Sequence, residues 1–340
     1  METGTRILID AIAYEPILNA MVPYKEGKGK DADSNNEQHD IEPQQMRVLI
    51  ERPGTGERLP LTIPIVTGNS VGGSLRRLLM QDLLRRLDLT RAMVADHASD
   101  RPHSENVRLL YHTLQSGGTL GAPKELVPPW TLETEEAIRE EWPIWSVLGC
   151  SIGSRMIASR IALHALRPAS TTLAALFPTD PAFQDRLRDF EPETCLVAAK
   201  DPTSTSGARH ADALVPFPNI KKSGKTLYRG MVQPHRGYIA AGTPLLGWIE
   251  VLSPLSPLEA GVLSHGLQLL QAHGRFGGWG HSGFGGAAVT IVGDGTATAY
   301  LDWLADHRPL LRRYLMGEAC PTWMTPATAK KGTGIDTEED

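Results

Sequence analysis

The stretch RFGGWGHSGFGGAAVTIV, residues 275–292, joins a glycine-rich loop to an apolar run in this chain of 340 residues. Six glycines lie between Arg275 and Ala287, together with Trp279, His281 and two phenylalanines. Because glycine lacks a Cβ, such a run lets the backbone adopt positive φ and present successive N–H groups to an anion. The apolar residues 287–292 that follow predict a β-strand. The pattern favours a loop that contacts a negatively charged ligand; a flexible surface loop is the alternative.

A second glycine-rich turn lies between a predicted strand and a predicted helix, in IPIVTGNSVGGSLRR, residues 63–77. The leucines between 75 and 87 follow helical spacing, and Ser70 is the predicted N-cap. A helix N-terminus offers unpaired N–H groups and the positive end of its dipole to an anion. The turn is neither a P-loop nor a dinucleotide-binding fingerprint. A helix start that needs glycine only for tight packing is the alternative.

Two further segments place basic residues next to predicted strands. Residues 147–156 form another turn of small residues, which leads to Arg155. Between residues 200 and 236, lysines and arginines are interspersed with Gly, Ser and Pro. A long basic hairpin suits an arm that lies along a phosphate backbone, since each cation releases counterions. A solvated surface loop is the alternative.

Composition and charge describe a globular chain that tolerates an anionic partner. Hydrophobic residues make up 41% of the chain and charged residues 21%, and no apolar run approaches the roughly 20 residues of a bilayer span. The N-terminus lacks a signal-peptide pattern, and the three widely spaced cysteines argue against a disulfide frame and a structural zinc site, so we predict a cytoplasmic protein. Five acidic residues lie within 31–42 and four within 332–340; without these segments the net charge changes from −5 to +4.

The regular elements predict an α+β fold. Their essential order is strand, helix, two strands, helix, strand, the pattern of split βαβ and RNA-recognition folds. The predicted strands span 7–13, 46–51, 61–66, 156–166, 195–199, 238–251 and 287–292, and the strand at 238–251 is predicted to be broken by Gly242 and Pro244. Helices are predicted after Ser70 and at 257–273 and 298–315. We expect residues 1–340 to form a single elaborated RRM-like domain. Its predicted additions are a polar loop at 21–45, a helical insertion at 91–145, a basic hairpin at 200–236 and an acidic tail at 317–340.

Taken together and in this order, the motifs resemble the RAMP superfamily of CRISPR proteins, and within it the subunits that form the guide-RNA-bound backbone of effector complexes. Residues 68–76 resemble the family's glycine–serine turn and arginine-bearing helix, and residues 277–286 resemble its C-terminal glycine-rich loop. Leu148 and Gly149, followed by Ser154 and Arg155, resemble its mid-chain element. Asn69 and the paired arginines at 76 and 77 are most similar to the type IV backbone subunit.

The chain departs from the family pattern at one position. Gly72 stands where many relatives carry Lys or Arg, so a phosphate contact expected there is either missing or made by Arg76.

The resemblance implies a modified RRM- or ferredoxin-like palm with an inserted finger at 91–145 and a thumb at 200–236. Copies of the chain would stack head to tail along one CRISPR guide RNA, together with other effector subunits, and the guide would pair with target nucleic acid. Contacts would go mainly to phosphate and sugar, because a backbone subunit must accept any guide sequence. The expected RNA-binding residues are Asn69, Ser70, Gly72, Gly73, Ser74, Arg76, Arg77, Ser154, Arg155, Lys221, Lys222, Lys225, Arg229, Gly277, Gly278, Trp279, His281, Ser282, Gly283 and Phe284.

We expect no catalytic role, no cofactor, no metal and no membrane contact, but three alternatives stay open. In type III relatives an acidic residue on the loop after the first strand cuts target RNA, and Asp31, Asp33 and Asp40 occupy the corresponding loop. Other relatives process precursor guide RNA with a histidine, for which His39 and His281 are candidates. An unrelated protein that binds a nucleotide or sugar phosphate in one closed pocket is the third.

Overall fold

The computed structural model describes residues 1–18, 20–21, 42–51, 56–97, 104–119, 130–152, 155–199, 221–222, 225–226, 236–277, 284–293 and 295–324. The strands are β1 Arg6–Ala13, β2 Ala20–Met21, β3 Glu42–Pro43, β4 Gln45–Glu51, β5 Arg58–Pro64, β6 Gly118–Thr119, β7 Cys150–Ile152, β8 Arg155–Ile157, β9 Ile161–Leu163, β10 Arg167–Pro168, β11 Leu196–Ala199, β12 Lys221–Lys222, β13 Lys225–Thr226, β14 Arg236–Ile239, β15 Pro244–Val251 and β16 Ala287–Val292. The α-helices are α1 Gly68–Arg86, α2 Arg91–His97, α3 Ser104–Ser116, α4 Leu132–Glu141, α5 Pro143–Leu148, α6 Pro181–Gln184, α7 Pro257–His273 and α8 Thr298–Leu315, and 3₁₀ turns span Thr171–Leu176 and Pro192–Cys195.

The largest sheet is antiparallel and has β1 near its centre. β1 pairs with β15 on one side, Leu8 opposite Trp248, and with β16 on the other, Ile9 opposite Ile291. β9 and β10 pair with successive parts of β15 and together form one broken strand at the far edge. α1 lies in the chain between β1 and β9, and α7 connects β15 to β16. The predicted order of strand, helix, two strands, helix, strand is therefore confirmed within a mixed α+β fold.

Apolar side chains alternate between the two faces of this sheet, and each face has its own cover. Ile7 and Ile9 of β1 belong to the larger core, which they share with α1 and α7. Leu8 points to the opposite face and joins a smaller core with Trp248 and with the β4–β5 hairpin. The period of two along β1 thus places the sheet between a helical layer and a hairpin layer.

The predicted helical insertion at 91–145 shares the larger core. Leu110 and Leu114 of α3 are fully buried in it, and the indoles of Trp142 and Trp145 stack with their ring centroids 4.6 Å apart. Trp323 is also buried there, so residues up to 324 of the segment predicted as an acidic tail pack against the core. Within the described residues, no helix combines the length and apolar character that crossing a membrane requires.

The strand predicted at 156–166 is divided in the structure, and the strand predicted at 238–251 is broken between Gly242 and Pro244, as predicted. Within 156–166, Ser159 Oγ donates to the carbonyl oxygen of Val147 at 2.9 Å, and the turn sends β8 to β7 and β9 to β15. Within 238–251, Thr243 Oγ donates to the carbonyl oxygen of Ala240 at 2.7 Å, next to Gly242 at φ +88°. β14 therefore pairs with β11, and β15 begins only at Pro244.

The predicted N-cap of α1 is wrong by three residues. Thr67 has extended backbone, with φ −65° and ψ 153°, and its Oγ accepts from the Ser70 N–H at 3.3 Å. Ser70 consequently lies inside the first turn of the helix.

The structure describes the loop predicted at 21–45 only near its two ends, and the basic hairpin predicted at 200–236 only at β12, β13 and the first residue of β14. β2 pairs with β3 at either end of the loop predicted at 21–45. β11 pairs with β14 at either end of the predicted basic hairpin, and within it Lys222 of β12 lies opposite Lys225 of β13.

Candidate nucleic-acid interface

The first turns of α1 lie against β9, and two glycines make this approach possible. A Cβ at Gly68 would lie 1.9 Å from the carbonyl oxygen of Leu163, and one at Gly72 would lie 2.6 Å from Leu163 Cδ1. At Gly73 the nearest atom to an added Cβ would be Arg77 Nη1, at 3.3 Å. Tight packing therefore accounts for Gly68 and Gly72, whereas Gly73 faces the side on which the arginines lie.

An open cleft of about 680 Å³ lies between the first half of α1 and the C-terminal end of α3. The α1 wall consists of five residues predicted to bind RNA: Asn69, Gly72, Gly73, Arg76 and Arg77. The α3 wall consists of His112, Gln115 and Ser116, and Leu148 and Leu163 complete the lining. Among the described residues that line the cleft, none is acidic, so its fixed charge is positive.

Arg76 anchors α1 to the turn between α5 and β7. Its Nη2 donates to the carbonyl oxygens of Leu148 at 3.1 Å and Gly149 at 2.7 Å. Burial lowers the pKa of the guanidinium. Its Nη1 is buried, and the described part of the chain offers it no hydrogen-bond acceptor. Two motifs recognised separately in the sequence, the arginine-bearing helix and the Leu148–Gly149 element, thus meet through one side chain.

Arg77 is the exposed arginine of the pair. Its Nη2 donates to the Oγ of Ser74 at 3.2 Å, and Ser74 itself is buried, so the hydroxyl holds the guanidinium along the helix surface. Partial burial and the positive charges of Arg275 and Arg77 lower the pKa of His273, the last residue of α7. His273 at the end of α7 therefore lies within electrostatic range of Arg77 on α1.

Hydrogen bonds and an ion pair fix the base of the glycine-rich loop. Phe276 N–H donates to the carbonyl oxygen of Gly285 at 2.9 Å, and Gly285 has φ +94°, which favours glycine. Gly286 N–H donates to Glu15 Oε2 at 2.9 Å, and Arg275 forms an ion pair with the same oxygen at 3.3 Å. The two ends of the loop are therefore held together and tied to the segment that follows β1.

The other predicted RNA-binding residues lie at different places in the fold. Ser70 is half-buried in the first turn of α1, and Gly277 and Phe284 lie at the base of the glycine-rich loop, where the Phe284 ring contacts Tyr238 with a centroid distance of 6.2 Å. Arg155 is exposed on β8 and is not among the described residues that line the cleft. Lys221, Lys222 and Lys225 belong to the β12–β13 pair.

Some of the predicted site residues fall outside the described ranges. They are the RNA-binding predictions for Ser154, Arg229, Gly278, Trp279, His281, Ser282 and Gly283 and the nuclease candidates Asp31, Asp33, His39 and Asp40. Among the residues that are described, no three His, Cys, Asp or Glu side chains form a possible metal site.

The α3 wall of the cleft is the part of the site that the sequence analysis missed. His112, Gln115 and Ser116 are exposed, and they lie on the side of α3 opposite Leu110 and Leu114. Helical periodicity could have shown that these residues share a polar face. It carries no information that this face lies opposite α1, because that depends on how the insertion packs.

Comparisons with known proteins gave matches among solved structures. No protein-family model and no curated protein sequence matches the chain. Among solved structures, it is similar to a chain of a type IV-B CRISPR complex, with 17% sequence identity, a TM-score of 0.46, and coverage of 85% of this chain and 90% of that chain. It is also similar to Csc2 from Thermofilum pendens, with 13% identity, a TM-score of 0.31, and coverage of 92% of this chain and 80% of that one.

Proposed function

We propose that this chain is a non-catalytic structural subunit that oligomerises along CRISPR guide RNA, binds the phosphate backbone and leaves the bases free to pair with target nucleic acid. The observation that carries the proposal is the cleft between α1 and α3. It holds two arginines and has no acidic side chain among its described lining residues.

The two arginines have different roles in this proposal. Arg77 is exposed and contacts a phosphate directly, as a charge-assisted donor. Arg76 uses Nη2 to hold two backbone carbonyls, so it fixes the wall of the cleft and adds positive potential. Contacts of this kind carry no base information, which suits a subunit that must accept any guide.

We assign the parts of the fold by their resemblance to RAMP-superfamily backbone subunits. The large sheet with α1 and α7 is the RRM-like palm, α2 to α5 form the finger, and the segment between β11 and β14 is the thumb of a single domain. Successive copies contact one another head to tail, because a heterologous interface that does not close produces a filament. Other CRISPR effector subunits complete the complex, and a cytoplasmic location remains part of the proposal.

Stoichiometry tests this function. The protein is mixed with single-stranded RNAs of increasing length and unrelated sequences, and the mass of each complex is measured. We expect the number of chains per RNA to rise in steps with RNA length and to be the same for all sequences. One chain per RNA at every length, with tight binding of a mononucleotide instead, would reject the proposal in favour of a small-ligand protein.

A further inference from the structure

The two walls of the cleft differ in chemistry. The α1 wall carries the charges of Arg76 and Arg77, whereas the α3 wall carries the neutral groups of Gln115 and Ser116 next to His112. Both walls line the same open space, so a ligand that enters it meets cations on one side and uncharged polar groups on the other. A nucleotide has the same asymmetry, since its phosphate is charged and its sugar is not.

The polar groups on α3 have hydrogen-bonding capacity left over. Ser116 Oγ donates to the carbonyl oxygen of His112 at 2.8 Å, so its own oxygen remains able to accept. Gln115 is exposed, and its amide offers both donors and an acceptor. A ribose 2′-hydroxyl both donates and accepts, and it is the group by which a protein distinguishes RNA from DNA at a given position.

We infer that the end of α3 recognises the ribose 2′-hydroxyl, with Gln115 and Ser116 as its partners, so that the cleft selects RNA over DNA. This rests on the proposed function: when Arg77 holds a phosphate in the cleft, the remaining space for the sugar of the same nucleotide is bounded by the end of α3. The helical insertion then has a direct part in recognition, in addition to its contribution to the core.

The test compares three oligonucleotides of one sequence: RNA, DNA, and RNA in which every 2′-hydroxyl is replaced by fluorine. The fluorinated strand keeps an RNA-like sugar conformation but cannot donate from the 2′ position. Dissociation constants are measured for the full-length chain, for Gln115→Ala combined with Ser116→Ala, and for Arg77→Ala. Arg47→Ala is the matched control, because Arg47 is exposed on β4 in the opposite layer. Circular dichroism checks that each variant is folded.

The wild-type chain is expected to bind RNA at least about five-fold more tightly than the fluorinated strand or DNA, the effect of one neutral hydrogen bond. The α3 variant should lose this preference and keep its affinity for DNA, whereas Arg77→Ala should weaken all three strands by a similar factor. A folded α3 variant that keeps the full preference would overturn the inference and leave the proposed function intact. A wild-type chain that binds none of the three strands would refute the proposed function itself, and the inference with it.

Discussion

The guanidinium of Arg76 donates a hydrogen bond of 2.7 Å to the carbonyl oxygen of Gly149, 73 residues further along the chain. A second bond, of 3.1 Å, runs from the same nitrogen to the carbonyl oxygen of Leu148. These bonds join the helix that carries the predicted phosphate-binding residues to the turn that ends α5, and Gly149 adopts φ +70° in that turn. An arginine whose sequence context predicts a direct RNA contact is therefore also a structural anchor.

Replacement of Arg76 should lower stability. Arg76→Ala leaves two carbonyl oxygens without their charged donor, so we expect a loss of about 2 kcal/mol in the free energy of unfolding. Arg76→Lys keeps the charge but cannot present the planar guanidinium fork, and it should recover only part of that loss. Urea denaturation of both variants provides the measurement. Full stability of Arg76→Ala would show that the two hydrogen bonds contribute nothing.

Replacement of Arg77 should weaken RNA binding with little change in stability. The side chain is exposed and donates to Ser74 Oγ, so Arg77→Ala removes one positive charge that is available to a phosphate. We expect about ten-fold weaker binding for every RNA sequence. The slope of log K against log salt should become shallower by about 0.7 for each phosphate that the variant no longer neutralises. Equilibrium titrations at several salt concentrations measure both, with Arg47→Ala as the control. A loss of affinity that depends strongly on the RNA sequence would contradict binding to the phosphate backbone.

The double variant Arg76→Ala with Arg77→Ala should weaken binding by a similar factor across RNA sequences and flatten the salt dependence further. Because Arg76 also anchors the fold, its affinity must be measured at a temperature where circular dichroism shows the variant to be folded.

The two glycines at 68 and 73 should respond in opposite ways to alanine. Gly68→Ala places a methyl group against the backbone oxygen of Leu163, which cannot move alone, and should cost about 2–3 kcal/mol of stability. Gly73→Ala meets only the mobile end of Arg77 and removes a helix-interior glycine, so it should gain up to about 1 kcal/mol. Thermal unfolding of the Gly68→Ala and Gly73→Ala variants measures both changes in stability. Equal stability of the two variants would mean that α1 does not approach β9 as closely as described.

A buried carboxylate between α1 and α7 predicts a pH dependence. Asp82 Oδ2 accepts from His265 Nε2 at 2.7 Å and from Arg86 Nε at 2.6 Å, and Arg85 pairs with its other oxygen. Burial alone would raise the Asp82 pKa, but the hydrogen bonds from His265, Arg85 and Arg86 outweigh it and hold the pKa well below its usual range. Because the folded-state pKa is depressed, this group stabilises the fold above its unfolded pKa of about 3.9, and the contribution is lost as pH falls further.

Asp82→Asn tests that prediction. The substitution should lower the free energy of unfolding by about 2 kcal/mol at pH 7, since it removes the charged acceptor of the buried His265, of the exposed Arg85 and of the partly exposed Arg86. It should also remove part of the stability that the wild-type chain loses below about pH 4. Asp306→Asn, at an exposed position on α8, serves as the control. An unchanged acid dependence in Asp82→Asn would show that other carboxyl groups govern it.

Much of the fold could be predicted from sequence where local signals coincide with packing. The bounds of α7 follow from helical periodicity together with Ser256, whose capping box with Glu259 starts the helix, and Gly274, which ends it in the left-handed conformation. β16 follows from an apolar run bounded by glycine. The break between β14 and β15 was predictable from Gly242 and Pro244. The break between β8 and β9 was not, because the Ser159 hydroxyl bonds there to the carbonyl oxygens of Val147 and Ile161, which no residue pattern signals.

Of the two walls of the cleft, only the α1 wall could be predicted from the sequence. The α1 wall is contiguous in sequence and carries its own signal in the glycines and arginines of residues 68–77. The α3 wall depends on how an insertion packs, and neither Gln115 nor Ser116 stands out by residue type. The hydrogen bonds from Arg76 to the carbonyl oxygens of Leu148 and Gly149 could not be predicted either. A pattern of side chains does not indicate which backbone oxygens a guanidinium will reach.

The nucleic acid that co-purifies with the full-length protein tests the central claim most directly. After nuclease treatment, the length distribution of the protected material is read on a denaturing gel, with ribonuclease and deoxyribonuclease digests run in parallel. We predict RNA fragments that differ by a fixed number of nucleotides, one step for each added subunit. A protein that carries no nucleic acid and remains monomeric when offered guide RNA would contradict the account.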